Sequence, residues 1–350
     1  MSLILNVVSH KVPEFVANAS QVLGVFVGRH GVTAVAPRKK LRANGPPADS
    51  PLRRRVLLIY NPTAGVASAR RLGRVVKILL TMGAVVTVRR TARRGDAEAF
   101  AAEATRDAYD VVAVAGGDGT VNEAINGLAG SDLPLAVIPL GTANVLAAEI
   151  AMPRRARDRA RLILNARGRP VCVGVANERA FIMMAGAGFD AYLVAHVNPC
   201  LKRCLGRLAY VVEGARAMAR FAYPRYRVTV DGAAFEATSV IVANGHYYGG
   251  RFICAPHACL DDPTFEVCLF LGSGPVNVLR YAVTLARGRL ERLPDFRIVR
   301  GSEIFIARAD GVAGLEPAQI DGDIGCRLPL AIRPAKRRLT LLCGEAVEKT

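Results

Sequence analysis

The first half of the chain alternates continuous apolar runs with amphipathic segments, from residue 53 to about residue 150. The runs are rich in small and β-branched residues, which is typical of strands buried on both faces of a parallel sheet. They occupy residues 53–60, 84–88, 111–115 and 135–139. Residues 67–80 place apolar side chains on one helical face, and a second helix is predicted at residues 96–106. This alternation predicts an α/β domain whose parallel sheet has helices on both faces.

The pattern changes after Arg154, where short apolar segments follow one another with a single predicted helix at residues 206–221. The segments are residues 170–175, 180–185, 226–230, 237–244, 265–271, 295–300, 303–307 and 327–332. Many short strands without long helices between them predict a mostly antiparallel β-sandwich, with a cleft between it and the first domain. We therefore predict an α/β domain at residues 52–153 and a β-rich domain at residues 154–334.

Residues 1–51 differ from both domains. Six basic and two acidic residues lie in the first fifty positions, and residues 43–51 have the Pro, Gly and Asn content of a linker. We predict a disordered extension, with a basic membrane-surface anchor as the alternative. The start lacks the pattern of a secretory signal, and the longest uncharged stretches are too short or too often broken by proline to span a bilayer.

The net charge of +18 favours partners that carry phosphate groups, whether a nucleotide, nucleic acid or anionic lipid headgroups. Because no nucleic-acid-binding motif is present, we predict no nucleic-acid partner. The eight cysteines are scattered among apolar neighbours, which indicates reduced thiols and a cytoplasmic protein. His196, Cys200 and Cys204 have helical spacing, but they lack a second pair of metal ligands.

A glycine-rich loop follows the most apolar run, residues 111–115. The loop reads Gly-Gly-Asp-Gly-Thr-Val-Asn-Glu and leads into a short predicted helix. A strand, a glycine turn and a helix N-terminus together form a phosphate cradle, because free N–H groups and the helix dipole face the anion. The loop has neither the Lys-Ser/Thr of the Walker motif nor the spacing of the dinucleotide fingerprint.

These eight letters resemble the signature of the lipid kinase family that includes soluble bacterial diacylglycerol kinases, sphingosine kinases and ceramide kinases. Further motifs occur in the order of that family, at residues 61–65, 139–144, 186–191, 244–250 and 319–323. The resemblance extends over residues 53–344. It implies a nucleotide-binding domain similar to NAD kinase and 6-phosphofructokinase, to which residues 335–345 return with the final strand.

The resemblance also implies an ATP site on the loops that follow the first four strands. For Asn144, capping of the next helix is an equally good explanation. The predicted nucleotide-binding residues are Asn61, Pro62, Thr63, Ala64, Gly65, Thr91, Gly116, Gly117, Asp118, Gly119, Thr120, Val121, Asn122, Glu123, Gly141, Thr142 and Asn144.

The motif at residues 244–250 is expected to line the lipid entrance through Asn244, Tyr247, Tyr248 and Gly249, since aromatic rings hold acyl chains well. The alternative is a β-turn with two half-buried tyrosines. We expect His246 to be peripheral. In the Gly-Ala-Gly-Phe-Asp-Ala motif, the aspartate at position 190 is either catalytic or a helix cap, and we favour the cap.

In the resembled family a loop binds a structural Mg²⁺, which maps here onto the Cys259 carbonyl, the Asp262 carboxylate and the Thr264 carbonyl. Oxygen ligands of this kind suit a hard cation. Pro263 stands where the family has glycine, and its fixed φ leaves the geometry of this metal loop open.

The motif Gln-Ile-Asp-Gly-Asp differs from the usual Asp-Gly-Glu ending of the family by one methylene. A carboxylate here would accept the proton of the acceptor alcohol as phosphate is transferred. Either Asp323 or Asp321 is the base, with Asp323 favoured, and the structural alternative is a type I′ hairpin turn. Asp118 is predicted near the Mg²⁺ that accompanies ATP.

The sequence therefore predicts an ATP- and Mg²⁺-dependent lipid kinase of phospholipid biosynthesis, most simply one that converts diacylglycerol to phosphatidic acid. A sphingoid-base kinase and a non-catalytic nucleotide- or lipid-binding regulator are the alternatives. The expected partners are a lipid substrate and an anionic membrane, which places the protein peripherally at the inner membrane surface. The sequence leaves open whether the chain is a monomer or a homodimer.

Overall fold

The computed structural model of the chain describes residues 25–28, 31–34, 55–65, 68–196, 214, 216–312, 314 and 316–344. In chain order its elements are β1 Val25–Gly28, β2 Gly31–Ala34, β3 Arg55–Tyr60, α1 Ser68–Thr81, β4 Val85–Arg90, α2 Asp96–Ala102, β5 Val111–Gly116, α3 Asp118–Gly127, β6 Leu135–Pro139, α4 Val145–Glu149, α5 Ala156–Asn165, β7 Gly168–Val171, β8 Gly174–Ala176, β9 Arg179–Phe181, β10 Met184–Ala187, α6 Phe189–His196, β11 Tyr226–Val230, β12 Ala233–Ala237, β13 Ser239–Ala243, β14 Tyr247–Tyr248, β15 Phe252–Ile253, β16 Phe265–Phe270, α7 Pro275–Ala286, β17 Phe296–Gly301, β18 Ile304–Arg308, β19 Pro317–Ile320, β20 Asp323–Arg327, β21 Leu330–Pro334 and β22 Leu339–Leu342.

The first domain is built on an eight-stranded sheet with the order β1-β2-β4-β3-β5-β6-β22-β7. Strands β4, β3, β5, β6 and β22 run parallel, and β7 closes the sheet antiparallel to β22. Every residue of β5 is buried, as its uninterrupted apolar run predicts. Helix α1 packs on α5, and α2 packs on α3. The α/β architecture is confirmed.

The second domain is a sandwich of two six-stranded antiparallel sheets. Their orders are β17-β16-β13-β10-β19-β20 and β12-β11-β18-β21-β8-β9. Side chains from both sheets form one apolar core. The rings of Phe181 and Phe265, one from each sheet, lie 5.6 Å apart between centroids. The β-sandwich is therefore confirmed as well.

The border between the domains lies later than the predicted position after residue 153. Helix α5 packs on α1, and β7 belongs to the first sheet, so the first domain continues to Val171. The prediction that the last strand returns to the first domain is correct, because β22 inserts between β6 and β7 of the first sheet. The sequence pattern missed α5 and α7. Most of the predicted helix at residues 206–221 lies outside the described residues.

Eight residues of the basic extension, for which we predict disorder, form the hairpin β1–β2. Strand β2 pairs antiparallel with β4 and so lengthens the first sheet. The other residues of the predicted extension at 1–51 lie outside the described part of the chain. Among the residues that the structure describes, no helix is long and apolar enough to cross a membrane.

Candidate active site

Three loops meet at the carboxyl ends of neighbouring parallel strands, where α/β sheets bind their ligands. They follow β3, β5 and β6 and correspond to residues 61–65, 116–123 and 140–144. The Asn61 N–H donates to the Ala115 carbonyl at 2.9 Å, and the Leu140 N–H donates to the Gly116 carbonyl at 2.9 Å. The predicted nucleotide loops are therefore brought together, and the glycine loop lies between the other two.

Glycine is required where these loops touch. A Cβ on Gly141 would lie 2.6 Å from the Gly117 Cα, closer than real Cβ contacts allow. Gly65 has φ +81°, a left-handed conformation that favours glycine, and a side chain there would meet the Leu140 carbonyl. Backbone therefore packs on backbone, and the N–H groups that begin α3 remain directed at whatever the loop binds.

Several predicted nucleotide contacts instead hold the loops in shape. The Asn61 amide donates to Thr120 Oγ1 at 2.8 Å, while Asn61 Oδ1 accepts from the N–H and hydroxyl of Thr63. Glu123 accepts from the Ala97 N–H at 3.3 Å. Thr91, at the end of β4, is buried and bonds through its N–H to the Tyr60 carbonyl at 2.9 Å. These residues stabilise the conformation of the phosphate cradle through hydrogen bonds within the protein.

Two further positions of the glycine motif face the interior. Val121 lies in the first core, and Asn122 is buried. The Asn122 amide donates to the Ala180 carbonyl and to Asp321, each at 2.8 Å. These two side chains therefore point away from the loop surface at which a nucleotide is predicted. The remaining loop positions stay at least partly exposed, namely Pro62, Thr63, Ala64, Gly65, Gly117, Gly119, Gly141 and Thr142.

Asp118 caps α4, the helix for which the sequence predicts Asn144 as the cap. Asp118 Oδ1 accepts from the Val145 N–H at 2.7 Å, at the start of α4. Burial raises the pKa of Asp118, and the helix N–H opposes this rise. Asn144, the predicted cap, has φ 48° and makes no side-chain capping bond. Its amide donates instead to the Gly141 carbonyl at 2.7 Å. Asp118 thus joins the glycine loop to the loop after β6.

Asp321 is a buried anchor. Its Oδ1 accepts from the N–H groups of Met183 and Met184 at 2.8 and 3.0 Å, and its Oδ2 accepts from Ile182 N–H and the Asn122 amide at 2.9 and 2.8 Å. Burial raises the pKa of Asp321, whereas these hydrogen bonds lower it. Four donors fill the carboxylate, so Asp321 has no free position for the proton of a substrate.

The structure also confirms the predicted hairpin turn. Asp321 and Gly322 have φ values of 47° and 81° and connect β19 to β20 as a two-residue loop. This turn presents Asp323 to the first domain. A Cβ placed on Gly119 would lie 2.5 Å from Asp323 Oδ2, so this carboxylate borders the glycine loop. Asp323 is about half exposed and lies 4.0 Å from Arg94.

Of the predicted lipid-entrance residues, Asn244 lies inside the protein. It is fully buried, and its amide donates to the carbonyls of Cys172 and Ile182 at 3.0 and 2.8 Å. Tyr247 and Tyr248 are half-buried on β14, which pairs with β15 through a turn in which Gly249 has φ 57°. The structure therefore shows the turn that was the alternative explanation of this motif, with both tyrosines partly accessible.

A contact that sequence reasoning missed fixes this turn to the first domain. Glu149, at the end of α4, pairs with His246 Nδ1 at 2.6 Å and accepts from the N–H groups of His246 and Tyr247 at 3.1 and 3.3 Å. The bond to Glu149 raises the pKa of His246. The available sequence signal was an acid at the C-terminal end of an apolar helix, where the helix dipole disfavours it and a partner is expected.

Asp190 does not cap α6, contrary to the prediction. The Phe189 N–H donates to the Ser239 hydroxyl oxygen at 2.9 Å. Asp190 itself accepts a hydrogen bond from the Tyr248 hydroxyl. Its Oδ2 is buried. Burial raises the pKa of Asp190 to about 6, although the hydrogen bonds from Tyr248 and Gln319 oppose this. Asp190 therefore holds the side chain of Tyr248 in place through this hydrogen bond.

The predicted metal loop does not fit a cation. Asp262 Oδ1 accepts from the N–H and hydroxyl of Thr264, at 2.9 and 2.8 Å, and Oδ2 pairs with Arg300 at 2.5 Å. The Cys259 carbonyl accepts from the Asp262 N–H at 3.0 Å. Hydrogen bonds within the loop, those from Thr264 first, lower the pKa of Asp262. The guanidinium of Arg300 already supplies the positive charge that Mg²⁺ would bring.

A phosphate cradle in an α/β domain, bordered by a carboxylate from a β-sandwich, defines a two-domain kinase. The model of the diacylglycerol kinase catalytic domain matches residues 55–176, and the model of the YegS C-terminal NAD kinase beta sandwich-like domain matches residues 183–343. The chain belongs to the diacylglycerol kinase catalytic-domain family, and it is an ATP-dependent lipid kinase.

Relatives cover nearly all of the two domains. A diacylglycerol kinase of Bacillus subtilis is 30% identical over 79% of this chain and 92% of its own length. One from Staphylococcus carnosus is 26% identical over 85% of this chain and 98% of its own. A crystal structure from Bacillus anthracis, described as a candidate diacylglycerol kinase, has a TM-score of 0.69 at 27% identity and covers 84% of this chain and 99% of that one.

The Arg300–Asp262 pair predicts how the metal loop responds to Mg²⁺. Without nucleotide, Mg²⁺ should leave the melting temperature of the wild-type protein unchanged, because Asp262 has no free oxygen to offer. Arg300→Ala should lower stability by about 0.2–1 kcal/mol, as for other partly exposed ion pairs, and should make the melting temperature respond to Mg²⁺. Arg300→Lys, which keeps the charge, and Arg333→Ala, on another strand, are the controls. A Mg²⁺-dependent rise in the wild type would contradict this assignment.

The raised pKa of Asp190 predicts a pH-dependent stability. The folded state holds this proton up to about pH 6, whereas the unfolded chain releases it near pH 4, so ionisation opposes folding above pH 4. Relative to the wild type, Asp190→Asn should gain roughly 2–3 kcal/mol of stability between pH 4 and pH 7, measured by urea unfolding. Asp310→Asn should behave in the opposite way and at lower pH, because the Arg308 side chain lowers the pKa of Asp310 to about 2. Relative to the wild type this variant should be less stable above pH 4, and the difference should disappear as the pH falls from about 4 to about 2.

Proposed function

We propose that the chain phosphorylates diacylglycerol to phosphatidic acid, with Mg²⁺ accompanying ATP. The observation that carries the proposal is the position of Asp323, a partly exposed carboxylate from the β-sandwich that borders the phosphate cradle at Gly119. The names of the curated relatives supply the acceptor, since both are diacylglycerol kinases. A sphingoid base is the alternative acceptor.

In this mechanism the N–H groups at the start of α3 hold the transferred phosphate, as helix N-termini do for anions. Asp323 Oδ accepts the proton of the acceptor hydroxyl as its oxygen attacks the γ-phosphorus of ATP, the bond from that phosphorus to the bridging oxygen breaks, and ADP leaves. Arg94, 4.0 Å from Asp323 and exposed, offers positive charge to the phosphate as it moves. Mg²⁺ would neutralise charge on the ATP phosphates. Asp118 is the acidic residue of the glycine loop that would hold this Mg²⁺ through its second oxygen, since its first oxygen caps α4.

Membrane association is part of the proposal because the acceptor lies in a bilayer. The net charge of +18 supports binding to anionic lipid at a cytoplasmic membrane surface. Such binding weakens as ionic strength rises, since salt screens exposed charges beyond about 8 Å at physiological concentration.

The test is transfer of labelled γ-phosphate from ATP to diacylglycerol, sphinganine, ceramide or phosphatidylglycerol in mixed micelles. We expect label in diacylglycerol. Asp323→Asn should lower kcat by about 10²–10⁴-fold, the usual size of a general-base effect, while ATP affinity is kept. Asp323→Glu should retain measurable turnover. ATP binding without transfer to any of these lipids would favour a non-catalytic regulator, and label in sphinganine alone would reassign the acceptor.

Gly119 offers a sharper test of the position of Asp323. This glycine is in α3, where alanine is the better helix former by up to about 1 kcal/mol, so Gly119→Ala should not destabilise the fold. The new methyl group would displace the Asp323 carboxylate, however. We expect kcat at saturating ATP to fall by about tenfold or more with an unchanged melting temperature. Unchanged turnover would show that Asp323 does not act from this position.

A further inference from the structure

Helix α7 and strand β15 expose an unusual share of apolar side chains. They carry five of the nine large apolar residues that are exposed among the described residues. These are Phe252, Ile253, Val276, Leu279 and Val283, and their exposed fractions range from 40% to 77%. Because α7 contacts β15, the five residues belong to one surface, which we call the α7–β15 surface. Contiguous exposed apolar area of this kind marks an interaction site.

The helix presents its apolar stripe to solvent. Val276, Leu279 and Val283 follow the i, i+3, i+7 spacing of one helical face. Tyr281 is the only fully buried residue of α7, and its hydroxyl fixes the helix by accepting from the Gly272 N–H at 2.8 Å and donating to Asp295 at 2.6 Å. The exposed stripe therefore contributes little to the core of this chain.

Basic residues border the stripe. Helix α7 contains no acidic residue, and the exposed arginines on or beside the surface are Arg251, Arg280, Arg287, Arg289 and Arg292. The nearby acids are Glu291, which is exposed, and Asp295, which pairs with Arg280. Apolar side chains flanked by arginines match the boundary between acyl chains and anionic headgroups.

This surface is continuous with the predicted lipid entrance. Strand β15 pairs directly with β14, which carries Tyr247 and Tyr248. Glu149 fixes the backbone before β14 to the end of α4, and Asp118 of the glycine loop caps the start of the same helix. Four residue steps of α4 amount to only about 6 Å. The turn beside the exposed apolar residues is thus connected to the phosphate cradle by one short helix.

We propose that the α7–β15 surface docks the kinase on a bilayer that contains anionic phospholipid. In the docked state, the apolar stripe enters the headgroup–acyl boundary, the arginines contact lipid phosphates, and Tyr247 and Tyr248 face the acceptor at headgroup depth. This inference rests on the proposed function, since it uses a lipid acceptor to identify the occupant of the surface. A second copy of the chain is the competing occupant.

The test uses the full chain and two kinds of vesicle. One contains phosphatidylcholine and phosphatidylglycerol in about a 7:3 molar ratio, so that its surface is anionic, and the other contains phosphatidylcholine alone. Val283→Asp and Leu279→Asp place a charge in the stripe, and Val312→Asp is the matched control, because Val312 is as exposed as Val283, at 43% against 40%. Co-sedimentation gives vesicle binding. Transfer of phosphate is measured with long-chain diacylglycerol in vesicles and with dispersed dioctanoylglycerol.

We expect both stripe variants to bind anionic vesicles at least tenfold more weakly and to lose activity on vesicles in proportion. Their activity on dispersed dioctanoylglycerol and their melting temperatures should stay within the range of Val312→Asp. Unchanged vesicle binding in both variants would overturn the proposal. So would a wild-type dimer, seen by sedimentation, that the variants split without any change in vesicle binding. If no lipid is phosphorylated by the wild type, the proposed function fails, whereas vesicle binding still tests the surface.

Discussion

The buried carboxylate of Asp321 is the contact on which the arrangement of the site depends. It receives a hydrogen bond from Asn122, in the helix that follows the phosphate cradle, and three more from the backbone of residues 182–184 in the sandwich. Each donor left without it inside the protein would cost about 1–3 kcal/mol. Because the hairpin turn begins at Asp321, the same interaction determines where Asp323 stands relative to Gly119.

Helix α4 forms the second connection between the two domains. Its first N–H is bonded by Asp118 of the glycine loop, and its last residue, Glu149, holds the backbone of His246 and Tyr247. A carboxylate at a helix N-terminus is favoured by the helix dipole, whereas one at the C-terminus is disfavoured, so Glu149 depends on its bonds to His246. The nucleotide loop and the tyrosine turn are therefore parts of one hydrogen-bonded unit.

The sequence predicts the fold and the positions of the loops well, because buried parallel strands and glycine turns have strong local patterns. It predicts the roles of the polar side chains less well. Asn122 and Asn244 turn inward to backbone carbonyls from distant segments, and no local pattern encodes such partners. The Arg300–Asp262 pair joins residues 38 positions apart. Helix α7 escaped prediction because apolar residues lie both on its exposed face, as Leu279 does, and on its buried face, as Tyr281 does, which removes the contrast between an apolar and a polar face in the sequence.

The substitution of aspartate for the usual glutamate at position 323 is compatible with a working base, and the geometry of the turn explains why. Asp323 follows Gly322 directly and begins β20, so its short side chain projects from a rigid two-residue turn instead of a flexible loop. Its Oδ2 already reaches the position that a side chain on Gly119 would occupy. The absence of a side chain at Gly119 leaves the room in which the Asp323 carboxylate stands beside the phosphate cradle.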